Sequence, residues 1–220
     1  MTDLLRKFRD FLLEVVFPGQ AAKALSDFIA AHPELENAPA RDGTYSLLPY
    51  RHPAVRSAVW LFKYRGSREI GRIFGTAIAA HISAKLPDHP LFARVDTQSP
   101  QKPLLVIPIP SSKKRLRERG FDHGAMLAGF SAEKDAAGRF EIGHGVLYKI
   151  KDTKRQAHVK DRKIRLQNQK DSMAADPKKA SGRLIILIDD VSTTGATFAE
   201  AKRALQDAGA RAILCFSLCR

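Results

Sequence analysis

The 220-residue chain has only two cysteines, Cys215 and Cys219, four positions apart near its end. So few, so close, cannot build a disulfide framework, nor alone complete a four-ligand zinc site. The expectation is a reducing, cytoplasmic setting and no zinc. Long apolar runs are also missing: nothing approaches the roughly 20 residues that a bilayer-crossing helix needs, so a soluble protein without membrane insertion is expected. The opening MTDLLRKFRDFLLEVVF interleaves apolar positions 4, 5, 8, 11, 12, 15 and 16 with charges, which suits an amphipathic helix docked on a domain better than a signal peptide. Aromatic residues make up 8% of the chain and few accompany the basic ones, which weakens any base-stacking platform for single strands. Internal repeats and low-complexity segments are absent.

Acidic residues are in deficit. With 23 Asp plus Glu against 37 Lys plus Arg, the net charge of +14 attracts polyanions without naming one. The excess concentrates in KKRLRER, 113–119, and in 149–170, which holds Lys151, Lys154, Arg155, Lys160, Arg162, Lys163, Arg165 and Lys170. Such runs are most often solvated loops or helix faces, and nucleic acid is one of several partners they suit.

The length permits one substantial domain. Apolar spacing predicts helices over the first 16 residues, over AAKALSDFIAAH, from Pro53 through PAVRSAVWLFKY, from Arg68 to Leu86, over 124–137 and from Ala196 to Ala208. Residues 32–50 read as a connector and KKRLRER as a basic loop. Strands are expected at PLLVIPIP (103–110), GVLYKI (145–150), Leu184–Ile188 and ARAILCFSLC (210–219). Strands separated by helices imply an α/β fold with a mostly parallel sheet covered on both faces, whose ligands bind off the C-terminal strand ends. His81 reads as structural, Trp60 and Phe62 as packing residues, and Cys215 and Cys219 as core residues on one strand face by parity. His123, beside the basic loop, is a candidate for acid or base work.

LIILIDDVSTTGAT, Leu184 to Thr197, drives an aliphatic strand into two adjacent acids and a hydroxyl- and glycine-rich turn. Alternation along a strand separates neighbouring side chains, so Asp189 and Asp190 can cooperate only where the strand gives way to the turn. The backbone N–H groups of Thr193 to Thr197 can converge at a helix start, where the dipole favours an anion, and Gly195 lets the main chain approach closely. A carboxylate pair able to accept from a vicinal diol, next to a phosphate nest, describes a ribose phosphate. The spacing is not GxxxxGK[ST] and the turn has no lysine, which argues against a nucleoside triphosphate cradle.

IILIDDVSTTGAT resembles the 5-phosphoribosyl-1-pyrophosphate (PRPP) motif of type I phosphoribosyltransferases. IPIPSSKKRLRERGFDHGAMLA is similar to the VPVP…RxRGFNQ signature of the ComF (GntX-like) branch, FKYRG at 62–66 to its LKYxG element, and RLQNQKDSM at 165–173 to its RxxNxxxAF, with Ser172 and Met173 in place of Ala and Phe. The resemblance spans about 50–218. It implies a phosphoribosyltransferase-like domain over 51–220, preceded in 1–50 by a helical segment and connector, a degenerate remnant of the family's zinc module: FLLEVVFPGQ is similar to the stretch before the first CxxC, but no cysteines follow. Asp122 and His123 stand where Asn and Gln are expected, and Thr193 where purine-salvage relatives place a base-contacting acid.

The resemblance also implies roles. Asp189 and Asp190 would be catalytic, holding the ribose hydroxyls and lying near a magnesium ion that arrives with PRPP. Ser192, Thr193, Thr194, Gly195, Ala196 and Thr197 would grip the 5-phosphate. Ser111, Ser112, Lys113 and Arg119 would bind pyrophosphate, and 151–170 would be a flexible loop closing over PRPP, with Arg155, Gln156 and Arg165 its candidate contacts. The implied activity is magnesium-dependent transfer of the phosphoribosyl group to an unidentified acceptor, with release of pyrophosphate. The other reading is a non-catalytic accessory protein in DNA uptake, binding PRPP and single-stranded DNA beside a helicase-like competence partner. The oligomeric state is left open.

Overall fold

The computed structural model describes residues 18–37, 43–93, 103–135, 138–151 and 170–220; the expected first helix and the loop candidates Arg155, Gln156 and Arg165 lie outside these residues. Five strands form one wholly parallel sheet in the order β1 (Tyr45–Leu48), β7 (Ala212–Cys219), β6 (Leu184–Val191), β2 (Leu104–Pro108), β3 (Phe140–Ile142). On one face lie helices α1 (Pro18–Ala30), α2 (Pro53–Arg65), α3 (Arg68–Lys85) and α5 (His123–Glu133), around a cluster that includes Leu25, Phe62, Phe74, Ile78, Leu127 and Phe216. On the other lies α7 (Ala196–Asp207), whose Phe198, Ala201 and Leu205 meet Leu105, Ile107, Ile185 and Leu187 of the strands. β6 sits at the centre with apolar side chains on both faces, which is why it reads as an unbroken aliphatic run.

Local chemistry sets the helix ends that matter for the site. Pro53 opens α2, and Gly66 closes it at φ +63, a left-handed turn that glycine adopts without strain. Ser112 Oγ accepts from Arg115 N at 3.3 Å to start α4 (Lys113–Arg119), and Gly120 ends it at φ +78. The expected basic loop is therefore a short, capped helix. Asp122 Oδ1 accepts from Gly124 N at 3.0 Å and Ala125 N at 3.2 Å, starting α5 at His123. α5 is then locked against α3 by a glycine notch: a Cβ on Gly75 would come within 2.4 Å of Phe130.

The structure departs from the expected pattern in four other places. The stretch expected as a connector supplies edge strand β1, paired with β7, so residues ahead of position 50 belong to the same sheet and core. GVLYKI does not join the main sheet: β4 (Leu147–Lys149) pairs antiparallel with β5 (Met173–Ala175) in a separate ribbon, followed by the one-turn helix α6 (Pro177–Ala180). The short β3 was not expected at all. Finally, Cys215 packs in the cluster under α7, whereas Cys219 joins the opposite one, because its cross-strand partners Leu48 and Val191 belong there. Burial pushes the Cys215 thiol up to about 12.

Candidate functional site

The acid pair sits at the C-terminal end of the central strand, but β6 runs through both residues to Val191. Strand alternation therefore divides them. Asp190 points into the helical face, where its side chain is 6% exposed, and its Oδ2 lies 3.0 Å from Lys63 Nζ of α2 and 2.8 Å from His123 Nε2 of α5. Neither contact supplies an aligned hydrogen bond to that oxygen. Asp189 turns to the other side and lines an open recess together with the stretch from Val191 to Phe198. Its Oδ1 accepts from Asp190 N at 2.9 Å.

This split polarises the pair electrostatically. Burial would raise the Asp190 carboxyl, but the charge of Lys63 and the contact with His123 outweigh it and hold Asp190 well below the usual carboxylate range. Burial would likewise lower the Lys63 ammonium, and Asp190 reverses that, so its pKa is raised. Asp189 is left without a comparable partner: burial, then the charge of Asp190, pushes its carboxyl up to about 7. One acid is a fixed anion. The other faces the recess and takes or gives a proton near neutrality.

Beyond Val191 the chain turns through Ser192, whose N–H donates to Cys219 O at 2.9 Å, and reaches Gly195 at φ +71, the N-cap of α7. The first-turn N–H groups of a helix have no intrahelical acceptor, and the residues that start α7, Ala196 to Phe198, line the recess at the positive end of the helix dipole. Thr194 Oγ1 lies 3.5 Å from Ala196 N, within the same turn. All the residues expected to form the nest are thus brought to one concavity with Asp189.

The residues expected to meet pyrophosphate lie one strand over. β2 neighbours β6, and Ile109 N donates to Ile188 O at 2.9 Å just before the turn into Ser111 and Ser112. Ser112 is buried and caps α4, and Lys113 is exposed. Arg119, at the far end of α4, reaches back: its Nη1 is 2.9 Å from His123 Nδ1 and 3.3 Å from Nε2, and its guanidinium lies 5.2 Å over the Tyr64 ring.

Comparison with known proteins decides the family. No protein-family profile matches the chain. Over 160 residues, however, it is 31% identical to the competence protein ComFC of Bacillus subtilis (strain 168), an alignment covering 72% of this chain and 57% of that protein. The chain belongs to the ComF family. It spans little more than half the length of that relative. In structure it is similar to the allosteric regulatory enzyme of purine biosynthesis, with a TM-score of 0.38 and 16% identity over 72% of this chain and 30% of the other, a likeness too loose to bear on the site.

The fold gives the separate ComF-like motifs a common physical purpose. Gly66 of FKYRG abuts the Phe121 ring of RGFDH, where a Cβ would come within 3.2 Å. That contact seats the end of α2 against the turn into α5, and Lys63 and His123 then converge on Asp190 of the third motif. Lys63 had no role in the sequence reading, although its place in FKYRG was a signal. His81 is fully buried, edge-on to Phe216 at 5.6 Å, in keeping with a structural residue. Among the described residues no group of three or more His, Cys, Asp or Glu is placed to hold a metal ion, and no helix is long and apolar enough to cross a membrane.

Proposed function

We propose that this ComF protein binds PRPP with magnesium and transfers the phosphoribosyl group, releasing pyrophosphate, to an acceptor not yet known. The observation that carries this reading is the recess itself: a helix start suited to a phosphate, closed on one side by a carboxylate, Asp189, suited to a sugar diol. The 5-phosphate would sit against Ser192–Thr197, with the ribose hydroxyls on Asp189 and the remaining lone pairs of Asp190. Lys113 and Arg119 would face the diphosphate.

A magnesium ion fits this arrangement as a companion of the diphosphate rather than as a resident of a protein cage. Magnesium keeps several waters and takes one or two carboxylates plus substrate phosphates. Asp189 is the carboxylate available to it, since Lys63 stands on Asp190. When bound, the ion would help to neutralise the leaving diphosphate. The chain's own part is to place Arg119 and Lys113 where negative charge develops and to keep Asp190 ionised beneath the ribose as positive charge builds on the sugar.

Calorimetry with PRPP and magnesium tests the reading. Wild type should bind, and Asp189→Asn with Asp190→Asn together should weaken binding by roughly 100-fold or more, the worth of two charge-assisted hydrogen bonds. Equal binding by both proteins removes the assignment. Pyrophosphate release with a panel of bases and amines then reads turnover.

A second reading, the PRPP- and single-stranded-DNA-binding accessory in DNA uptake, gains from one contact. Tyr64 is 53% exposed with Arg119 stacked on it, so the fold brings to the basic surface an aromatic that the sequence kept apart from it. It predicts steeply salt-dependent binding that weakens when Lys113, Lys114 and Arg115 are neutralised. No binding at low salt removes it.

A further inference from the structure

We propose that Lys63 is a built-in cation: its ammonium takes the place of a divalent ion on Asp190, and the site therefore admits magnesium on Asp189 alone. The use of magnesium rests on the PRPP reading; the occupation of Asp190 rests on geometry.

Two acids side by side at a strand end invite hard cations, which prefer carboxylate oxygens. Here each acid has its own side of the sheet, and Asp190 comes with a cation attached. Lys63 Nζ lies 3.0 Å from Asp190 Oδ2, with the lysine side chain 20% exposed and the carboxylate 6%. The contact is not an aligned hydrogen bond, so what Lys63 delivers is charge. Burial would lower the Lys63 ammonium, but Asp190 and, more weakly, Asp189 hold it protonated.

The position of this charge belongs to the fold. Phe62, just before Lys63, is fully buried and meets Phe74 edge-on at 5.8 Å. Gly66, just beyond, ends the helix by donating to Leu61 O and abuts the Phe121 ring. Lys63 thus stands in the last turn of α2, where the helix dipole favours a cation.

A second cation cannot share the Asp190 oxygen. Magnesium binds carboxylate oxygens at about 2 Å, so an ion on Oδ2 would lie within about 5 Å of the ammonium, where little water screens the repulsion. His123 Nε2, 2.8 Å from the same oxygen, takes further room. Magnesium also keeps several of its waters, and Oδ2 is buried too deeply to admit a hydrated ion. Asp189, on the recess, meets none of these obstacles. Truncating Lys63 to alanine removes the charge and opens the space its stem fills, so Asp190 should then accept what the lysine excluded.

Manganese, a paramagnetic stand-in for magnesium, tests this on the full chain without PRPP. Bound manganese, counted by electron paramagnetic resonance, should be the same for wild type and Asp190→Asn; a site lost with that substitution overturns the proposal. Lys63→Ala should gain one manganese ion per chain, which methylammonium displaces and which is lost again when Asp190→Asn is added. Lys63→Arg, which keeps the charge, should gain none. No gain in Lys63→Ala, or an equal gain in Lys63→Arg, overturns the proposal. Manganese should also raise the melting temperature of Lys63→Ala more than that of wild type, so a variant that is merely less stable still gives a reading. With PRPP, Lys63→Ala should lose about tenfold in affinity at low magnesium and return to within threefold of wild type at high magnesium, as an ion replaces the ammonium. A loss that magnesium does not repair counts against Lys63 as a stand-in. If wild type fails to bind PRPP, the functional reading falls and the manganese counts alone judge Lys63.

Discussion

Two buried carboxylates, Glu200 in α7 and Asp190 in β6, show how differently a chain can satisfy the same group. Glu200 Oε1 accepts from Ser172 N at 2.9 Å and Met173 N at 3.1 Å, and both of its oxygens meet Arg203, at 2.8 and 3.0 Å. Arg203 also donates to Met173 O at 3.0 Å. Every one of these bonds is directional, and together they clasp β5 onto α7. The Arg203 bonds to Glu200 outweigh the effect of burial and lower the Glu200 pKa. Asp190 is as well buried but is balanced by charge: an ammonium and an imidazole arrive from two helices, and Oδ2 carries no aligned hydrogen bond. A carboxylate that only holds the chain together ends up saturated. One balanced by charge alone stays ionised yet keeps bonding capacity, which is what the proposed PRPP site requires of Asp190.

The sharpest way to break this comparison is Asp190→Asn. PRPP affinity should fall by roughly 100-fold, because the fixed anion beneath the sugar is gone. Folding should lose less, about 1 kcal/mol, since the Asn amide keeps an acceptor oxygen for Lys63, whose side chain is 20% exposed and can turn to water. Calorimetry and urea unfolding read the two quantities. A large loss of stability would make Asp190 a structural group like Glu200.

Glu200→Ala should behave in the reverse way. It strips two buried N–H groups and a guanidinium of their acceptor, at a cost of about 2–3 kcal/mol, held to that range because Arg203 is partly exposed and can turn to water. PRPP affinity, measured below the melting transition, should stay within threefold. A tenfold loss of affinity would mean that the clasp on α7 governs the nest at its other end.

Much of this site is legible along the chain because the strand, the acids and the helix start are contiguous: Leu184 to Thr197 contains the central strand, both carboxylates and all of the recess lining but Phe198. What the chain hides is which groups come to meet them. Lys63 and His123 are distant from Asp190 in sequence, and the packing of α2 against α5, with Gly66 on Phe121 and Phe62 on the His123 ring, brings them to it. The division of the acids was a matter of strand length, since two further residues of extended chain suffice to send Asp189 and Asp190 to opposite faces. Edge strands β1 and β3, four and three residues long, are too short to show a period and owe their conformation to β7 and β2 beside them. The helix in KKRLRER was readable after all, from Ser112 before it and Gly120 behind it, the residues that cap it.

The smallest effect tests the polarisation of the pair directly. Asp189 is raised in the folded protein from an ordinary value of about 4 to about 7, so between those values the folded state holds a proton that the unfolded chain has released. Its contribution to stability therefore falls as pH rises through that window and is lowest above it. Asp190 works the other way: its depressed value adds stability above about pH 4 that is lost as pH falls. Asp189→Asn removes only the first of these titrations. Subtracting wild-type from variant unfolding free energies across pH isolates it, and the variant's relative stability should climb by about 1–2 kcal/mol from pH 4 to pH 8, discounted for the exposure of Asp189 to the recess. By the same linkage, a diol and magnesium that need the ionised carboxylate should bind more tightly as pH rises toward 7, with proton release below it. A flat difference across pH would mean that Asp189 carries its charge in the empty recess, and the two acids would be a matched pair after all.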